Sequence, residues 1–422
     1  MSATSEIPAL APFRVRSFRF QWPADLATSW AFEMETLILG WYVLVETGSV
    51  LLLTLFASLQ YVGTLFAPMF GVAGDRIGHR NLLCAMRAVY ATLATTLMTF
   101  AFMGVLTPVR VLVIAALMGI VRPSDIGMRA TLVGETMPGA QLMGAMSIQR
   151  TTQDSARIAG ALTGAGLAVA LGMGPAYAVV VSLYAISFLL TLRAGGARVP
   201  QTAVFDDNVS ASARPSPWRD LRAGLAYVWT TPHLLAVMCL AFLLNLTAYP
   251  LFYGLLPYVA KEIYRTDQTV LGYMVAGAAF GALAGSIALS RHGSAIRPAR
   301  MMIVFCTVWY ALLLAFAQLQ HPVGGVLVLL LAGCAQSLCQ VPMAAMLLRT
   351  SDAQFRGRVM GIRMLAIYGN LPGLLLSGPL IGRFGYPATA TLYCMIGLAF
   401  TLLIAVRWRA HLWRLEAPAN TR

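Results

Sequence analysis

The chemistry available to this sequence sits in ionisable residues that interrupt otherwise apolar runs. Glu33 and Glu35 lie in the first run, Arg87 in the third, Arg122, Asp125 and Arg129 in the fourth, and Arg150, Asp154 and Arg157 in the fifth. The second half of the chain offers mainly Arg363. A charge in a low-dielectric span is costly and by default marks a functional position. Carboxylates there can take up and release protons, so Glu33, Asp154 and Asp125 are proton-coupling candidates. Arginine suits an anionic group, which makes Arg122, Arg150 and Arg157 candidates for lining a substrate cavity. Glu33 and Glu35 are two apart and point to nearly opposite faces of a helix. Asp25, Ser29, Glu33, Thr36 and Gly40 form one small, polar stripe, whereas Glu35 shares its face with Phe32, Ile38, Leu39 and Tyr42. Glu33 is therefore expected to face the cavity. The plainer alternative is a structural acid paired with a buried arginine. In the fourth and fifth runs each acid has arginines three or four positions away. Such pairs either make charge tolerable in the membrane or belong to a network that changes partners between states, and spacing alone leaves both open.

The elements that must position these residues are membrane-spanning helices. The chain has 422 residues, 59% hydrophobic and 11% charged, with mean hydropathy +0.73. A soluble domain carries about 25% charged residues. Apolar runs of the ~20 residues needed to cross a bilayer recur from end to end, about twelve of them by windowing. The net charge of +14 would suggest nucleic acid in a soluble protein. Here the arginines instead occupy alternate loops: Arg14, Arg16 and Arg19 before the first span, Arg76 and Arg80 after the second, Arg193 to Arg222 in the middle, Arg291 to Arg300, Arg356 and Arg358, and Arg407 to Arg422. That is the positive-inside pattern with both termini cytoplasmic. Met1–Gln21 lacks an apolar core and reads as a cytoplasmic tail, not a signal peptide. The Pro/Gly/Ser-rich stretch 194–219 reads as a cytoplasmic linker between six-helix bundles at 1–193 and 220–422. Six cysteines fall inside apolar runs without metal or redox spacing. No metal site and no cofactor are expected, and no P-loop is present that would let ATP drive the protein directly.

Gly71-Val-Ala-Gly-Asp-Arg-Ile-Gly-His-Arg80 fills the short gap between the second and third spans. Gly71 and Gly74 allow close approach at the exit, Asp75 and Arg76 sit at the membrane edge, and Gly78 permits a tight reversal. The segment resembles the loop between helices 2 and 3 of the major facilitator superfamily of secondary transporters. His79 stands where that pattern usually has Arg or Lys. The resemblance implies a gating motif of Gly71, Gly74, Asp75, Arg76, Gly78 and Arg80, with Asp75 acting as a latch toward the helix 11 region that holds Arg356 and Arg358.

Faint repeats support the same reading. Ala140-Gln-Leu-Met-Gly144 echoes Ala353-Gln-Phe-Arg-Gly357, Gly160-Ala-Leu-Thr-Gly164 echoes Gly378-Pro-Leu-Ile-Gly382, and Gly71 corresponds to Gly285. Duplicated bundles are the mark of many transporter folds. Gly277, Gly281 and Gly285 form a small-residue face suited to helix packing. Ser17-Phe-Arg-Phe20, Leu39-Gly-Trp-Tyr-Val43, Thr47-Gly-Ser49, Pro138 through Gly164 and Arg356-Gly-Arg-Val-Met360 resemble the bacterial branch related to the enterobactin exporter and macrolide-efflux proteins. That branch usually has Gly-Pro in helix 5, where this chain has Gly160-Ala161.

The expected fold is an all-α polytopic membrane protein of twelve transmembrane helices in two six-helix bundles. The expected function is proton-coupled export of a small amphipathic compound by alternating access, as a monomer in a bacterial inner membrane. Its partners are then a small-molecule substrate, protons and the lipid bilayer, with no nucleic acid. The alternatives are an uptake or exchange carrier for a metabolite, or a polytopic membrane protein that does not transport. An enzyme would need a catalytic constellation, and none is visible.

Overall fold

The computed structural model describes residues 11–195, 217–292, 297–351, 359, 362, 363 and 365–409, and these are helical with no strand. Most of the expected linker, together with Arg356 and Arg358, lies outside the described residues. The first half runs α1 (Arg16–Thr47), α2 (Val50–Leu59), α3 (Ala67–Ile77), α4 (His79–Phe102), α5 (Pro108–Thr136), α6 (Gly139–Leu171) and α7 (Met173–Arg193). The second runs α8 (Pro217–Thr230), α9 (Pro232–Leu243), a single turn α10 (Leu256–Tyr258), α11 (Gln268–His292), α12 (Pro298–Gln318), α13 (Pro322–Thr350), α14 (Asn370–Phe384) and α15 (Tyr386–Arg407).

Among the described residues, eight helical stretches are long and apolar enough to cross a membrane. The other four crossings of a twelve-helix fold have identifiable reasons for missing that measure. The helices α1 and α6 carry the acids and arginines singled out above. The second crossing is broken into α2, a 3-10 turn at Val62–Phe66 and α3. The eleventh is split by a 3-10 turn at Ala366–Gly369 ahead of α14.

The described residues form two compact units, one of 11–46 with 59–195, the other of 47–58 with the residues from 217 onward. All of α2 but Leu59 thus belongs to the second unit. There a Cβ added at Gly378 would collide with Thr54 and Leu51.

Helix starts follow local chemistry. Thr107 caps α5 by accepting from Arg110 N at 3.4 Å, and Pro108 takes the first turn, where its missing N–H costs nothing. Gly78 joins α3 to α4 at φ +88°, a left-handed conformation that a side chain would strain. Helix association in lipid rests on close packing and hydrogen bonds rather than on apolar burial. Accordingly, added Cβ atoms at Gly281 and Gly333 would strike backbone carbonyls of the facing helix, which locks α11 against α13.

Interior prolines free a carbonyl four residues back, and in both units a glycine closes on the freed group. Pro123 cannot donate to Gly119 O, and Gly63 approaches the Gly119 and Ile120 carbonyls too closely to carry a Cβ. Pro250 cannot donate to Leu246 O, and Gly373 of α14 lies against that oxygen in the same way. Around Pro250 and Pro257 the seventh crossing winds as π-helix at Leu244–Ala248, Pro250–Gly254 and Val259–Ile263.

Candidate functional site

The first unit gathers its charges into a layered polar core. Asp25 of α1 is the hub. Its carboxylate pairs with Arg87 of α4, accepts from Gln149 Nε2 of α6 at 3.2 Å, and lies 3.7 Å from Arg129 Nε of α5. Arg129 also pairs with Asp125 on its own helix, donates to Ser29 Oγ at 2.8 Å and to the Asp25 carbonyl at 3.3 Å. Gln21 donates to the Arg129 carbonyl at 3.0 Å, and Arg87 donates to Thr191 of α7. Asp25, Arg87, Asp125 and Arg129 are all buried. Two acids facing two arginines, with hydrogen bonds to residues of two further helices, α6 and α7, make a balanced set whose members cannot be removed singly without stranding a charge.

Two turns along α1 from Asp25, Glu33 meets Arg157 of α6, with Nε 3.2 Å from Oε1. This pair is partly open, at 22% and 28% side-chain exposure. Gly160 makes the contact possible, because a Cβ there would come within 2.6 Å of Glu33 Cβ and 3.0 Å of the Trp30 carbonyl. Trp30 Nε1 donates to Thr163 at 2.8 Å and seals the same interface.

Arg122 stands beside this layer. It donates to Thr36 Oγ1 at 2.9 Å and to Gln60, and its guanidinium lies 4.5 Å from the Phe32 ring centroid. Phe32 packs edge-on against Tyr90 and Tyr184. Glu35, on the opposite face of α1 from Glu33, is buried and accepts from Tyr184 Oη at 2.9 Å and Tyr177 Oη at 3.4 Å. Asp154 is buried and lies 3.5 Å from Arg150 Nε, whose side chain is largely exposed.

The structure therefore brings Glu33 together with Arg157, Asp125 with Arg129, and Asp154 with Arg150. It places Arg122 on Thr36, Gln60 and Phe32. Sequence reasoning put Asp25 on the polar stripe but missed it as the hub, along with Gln149, Tyr177 and Tyr184. The signal in reach was the Asp25–Ser29 spacing on a helix that must face Arg87 and Arg129.

At the loop after α3, a Cβ at Gly74 would meet His79 Cδ2 at 2.9 Å, while one at Gly71 would meet nothing among the described residues within 4 Å. Close packing thus accounts for Gly74. His79 Nδ1 lies 2.7 Å from Glu135 Oε1 and ties α4 to the end of α5. Arg80 donates to the Leu192 carbonyl, and to that of Thr191 at 3.5 Å. These are last-turn carbonyls of α7, where a cation is favoured. Arg76 is exposed. The Asp75 side chain lies outside what is described.

Comparison with known proteins bears on this arrangement. A family profile described as Major Facilitator Superfamily matches residues 26–369. The uncharacterized MFS-type transporter YwoD of Bacillus subtilis (strain 168) is 27% identical over 208 residues, which cover 46% of this chain and 45% of that protein. The match thus spans under half of that relative's length. Among solved structures, the nucleoside transporter NupG has a TM-score of 0.66 at 14% identity, covering 94% of this chain and 99% of that one. A D-xylose-proton symporter has a TM-score of 0.69 at 10% identity, covering 92% and 97%. The peptide transporter PepTSo has a TM-score of 0.69 at 11% identity, covering 96% and 99%. At such identities the likeness concerns the fold.

Proposed function

The chain belongs to the Major Facilitator Superfamily, and we propose on that premise that it is a proton-coupled secondary transporter exporting a small amphipathic compound by alternating access. Membership of that superfamily argues for a carrier and against an enzyme. The observation that carries the coupling proposal is the Glu33–Arg157 pair. The charges around Asp25 are buried, whereas Glu33 and Arg157, which meet Nε to Oε1 at 3.2 Å, are partly exposed. A cargo with a cationic or hydrogen-bond-donating group competes with a proton for Glu33. Mutually exclusive binding of cargo and proton at one carboxylate is antiport. Asp154 and Asp125 remain reserve coupling residues, each with an arginine on its own helix.

A second reading draws on the arginines. Arg122, Arg150 and Arg157 are each accessible in part. Protonation of Glu33 would release Arg157 to an anionic cargo. Proton and anion would then bind together, which is symport and fits uptake of a metabolite. Proteoliposomes with an imposed pH gradient separate the two readings. Antiport predicts accumulation when the lumen is acidic, and symport when the outside is acidic. Flux that ignores the gradient in both orientations would sink proton coupling.

The motif resemblance supports the enterobactin-exporter and macrolide-efflux branch, with Gly160-Ala161 as its departure. The arginine bias supports an inner-membrane orientation with both termini cytoplasmic. Asp75, by the same resemblance, acts as the latch of the gating motif.

A further inference from the structure

The chain enters the seventh crossing through a helix that is itself too short to cross. Pro232 opens α9, and a residue that precedes proline is pushed out of the helical region. Thr231 accordingly takes φ −108° and ψ 98°, an extended backbone, and α8 (Pro217–Thr230) ends there as a separate element. Thr230 Oγ1 donates to the Ala226 carbonyl at 2.9 Å and to that of Tyr227 at 3.2 Å, acceptors in the last turn of the interrupted helix. At 14 residues α8 is about 21 Å long, against the ~30 Å of a bilayer's hydrocarbon core. Its sequence holds Arg219, Asp220 and Arg222, whereas the apolar crossing starts at Pro232.

Outside the crossing, α8 nevertheless presents large apolar side chains. Val228 is buried and turns one face of the helix inward. Leu225 is 46% exposed and Trp229 70%, and Arg222 and Ala226 are exposed beside them. Positions 222, 225, 226 and 229 follow the i, i+3, i+4, i+7 spacing of a single helix face. At 100° per residue, Leu225 and Trp229 take one side of that face and Arg222 its centre. By the same register Trp218 falls between Leu225 and Trp229, and Arg219 falls on the side of Arg222 away from them. The outward arc of the helix thus runs from apolar to cationic.

We propose that α8 lies along the membrane interface and that its outward face binds anionic phospholipid: Leu225 and Trp229 enter the acyl boundary and Arg222 meets a headgroup phosphate. The occupant follows from place and charge. A bilayer is at hand, because the next element begins an apolar crossing. Tryptophan favours the interface, where its ring is in lipid and its N–H stays wet. Arginine forks onto phosphate, and its charge complements an anionic leaflet. A helix that is apolar on one flank and cationic on the other lies in the interfacial plane and does not span. Such an anchor holds the start of the seventh crossing at a fixed depth, whatever the cargo, the coupling ion or the side of the membrane.

The test uses the full-length protein with its six native cysteines replaced, in vesicles of phosphatidylcholine and phosphatidylglycerol. Electron paramagnetic resonance reads the depth of nitroxides at Leu225→Cys and Trp229→Cys. Both should collide more often with oxygen, which concentrates in lipid, than with a water-soluble nickel chelate. Leu225→Cys keeps the tryptophan and so covers the case in which Trp229→Cys does not fold. A bimane label at Leu225→Cys should be quenched more by brominated phosphatidylglycerol than by brominated phosphatidylcholine. Arg222→Gln should cut that preference about fivefold, the scale of one arginine near a charged surface. Labels open to the nickel chelate would overturn the anchor by placing the face in water. Labels closed to both reagents would overturn it by placing protein there, another segment of this chain or a second copy. Immersed labels quenched equally by the two lipids, in the parent and in Arg222→Gln alike, would overturn the anionic headgroup as the ligand.

Discussion

Arg157 of α6 reaches Glu33 of α1, Nε to Oε1 at 3.2 Å, across a helix contact that exists because residue 160 has no side chain. The coupling candidate and its partner therefore lie 124 positions apart in the chain, and their meeting depends on one glycine.

Glu33→Gln removes the charge that Arg157 answers. Transport driven by a pH gradient should fall about tenfold or more, a loss of roughly 1.4 kcal/mol of coupling, while slow downhill exchange persists. Proteoliposome flux with and without the gradient measures both. Retained uphill transport in Glu33→Gln together with its loss in Asp154→Asn would move the assignment to α6. Glu35→Gln should act on stability instead, by about 1–3 kcal/mol, because the buried carboxylate already accepts from two tyrosines.

Asp25→Ala strands Arg87 in the bundle interior and leaves Arg129 with Asp125 as its remaining acid. Removing one partner of a buried ionic set costs about 3–5 kcal/mol, so the variant should melt well below the parent or fail to reach the membrane folded. The double variant Asp25→Asn, Arg87→Gln should recover part of that loss. Equal melting temperatures for parent and Asp25→Ala would refute the hub.

Gly160→Val pushes a branched side chain into Glu33 Cβ and the Trp30 carbonyl. Overpacking of this kind costs about 1–3 kcal/mol. Transport should suffer more than stability, because the Glu33–Arg157 distance opens. Gly166→Ala on the same helix serves as the control and should be silent, since its Cβ meets nothing among the described residues within 4 Å.

Asp75→Asn tests the latch implied by the motif. Turnover should drop while substrate affinity stays within about twofold, the split expected when a conformational step and not the binding site is altered. Equal turnover at equal expression would count against it.

Orientation is checked by labelling. With the six native cysteines replaced, Asp206→Cys should resist an impermeant reagent in intact cells and react in inverted vesicles, as the arginine bias requires. Labelling from the periplasm would reverse the topology.

Much of the fold was legible before any coordinates. Runs of ~20 apolar residues dictate spanning helices because no other element satisfies the backbone in lipid. Arginine in alternate loops sets the expected orientation. The Gly277–Gly285 face foretold a close helix contact, since small residues at a spacing of four leave one stripe of a helix bare, and the structure sets α13 there. The 100° step of the helix also separated Glu33 from Glu35 correctly. Their partners were not legible. Asp25 pairs with Arg87 from α4, Glu33 with Arg157 from α6, and Glu35 with tyrosines from α7. Periodicity reports which way a side chain points from its own axis and says nothing of which helix stands opposite. Nor did the seventh crossing betray its π-turns, because two prolines in an apolar run are compatible with a kink, a break or a rewinding, and the packing of Gly373 against the Leu246 carbonyl selects among them. The sequence determined the helices, their number and their polar faces; the tertiary structure decided the pairings, because each is a contact between helices distant in the chain.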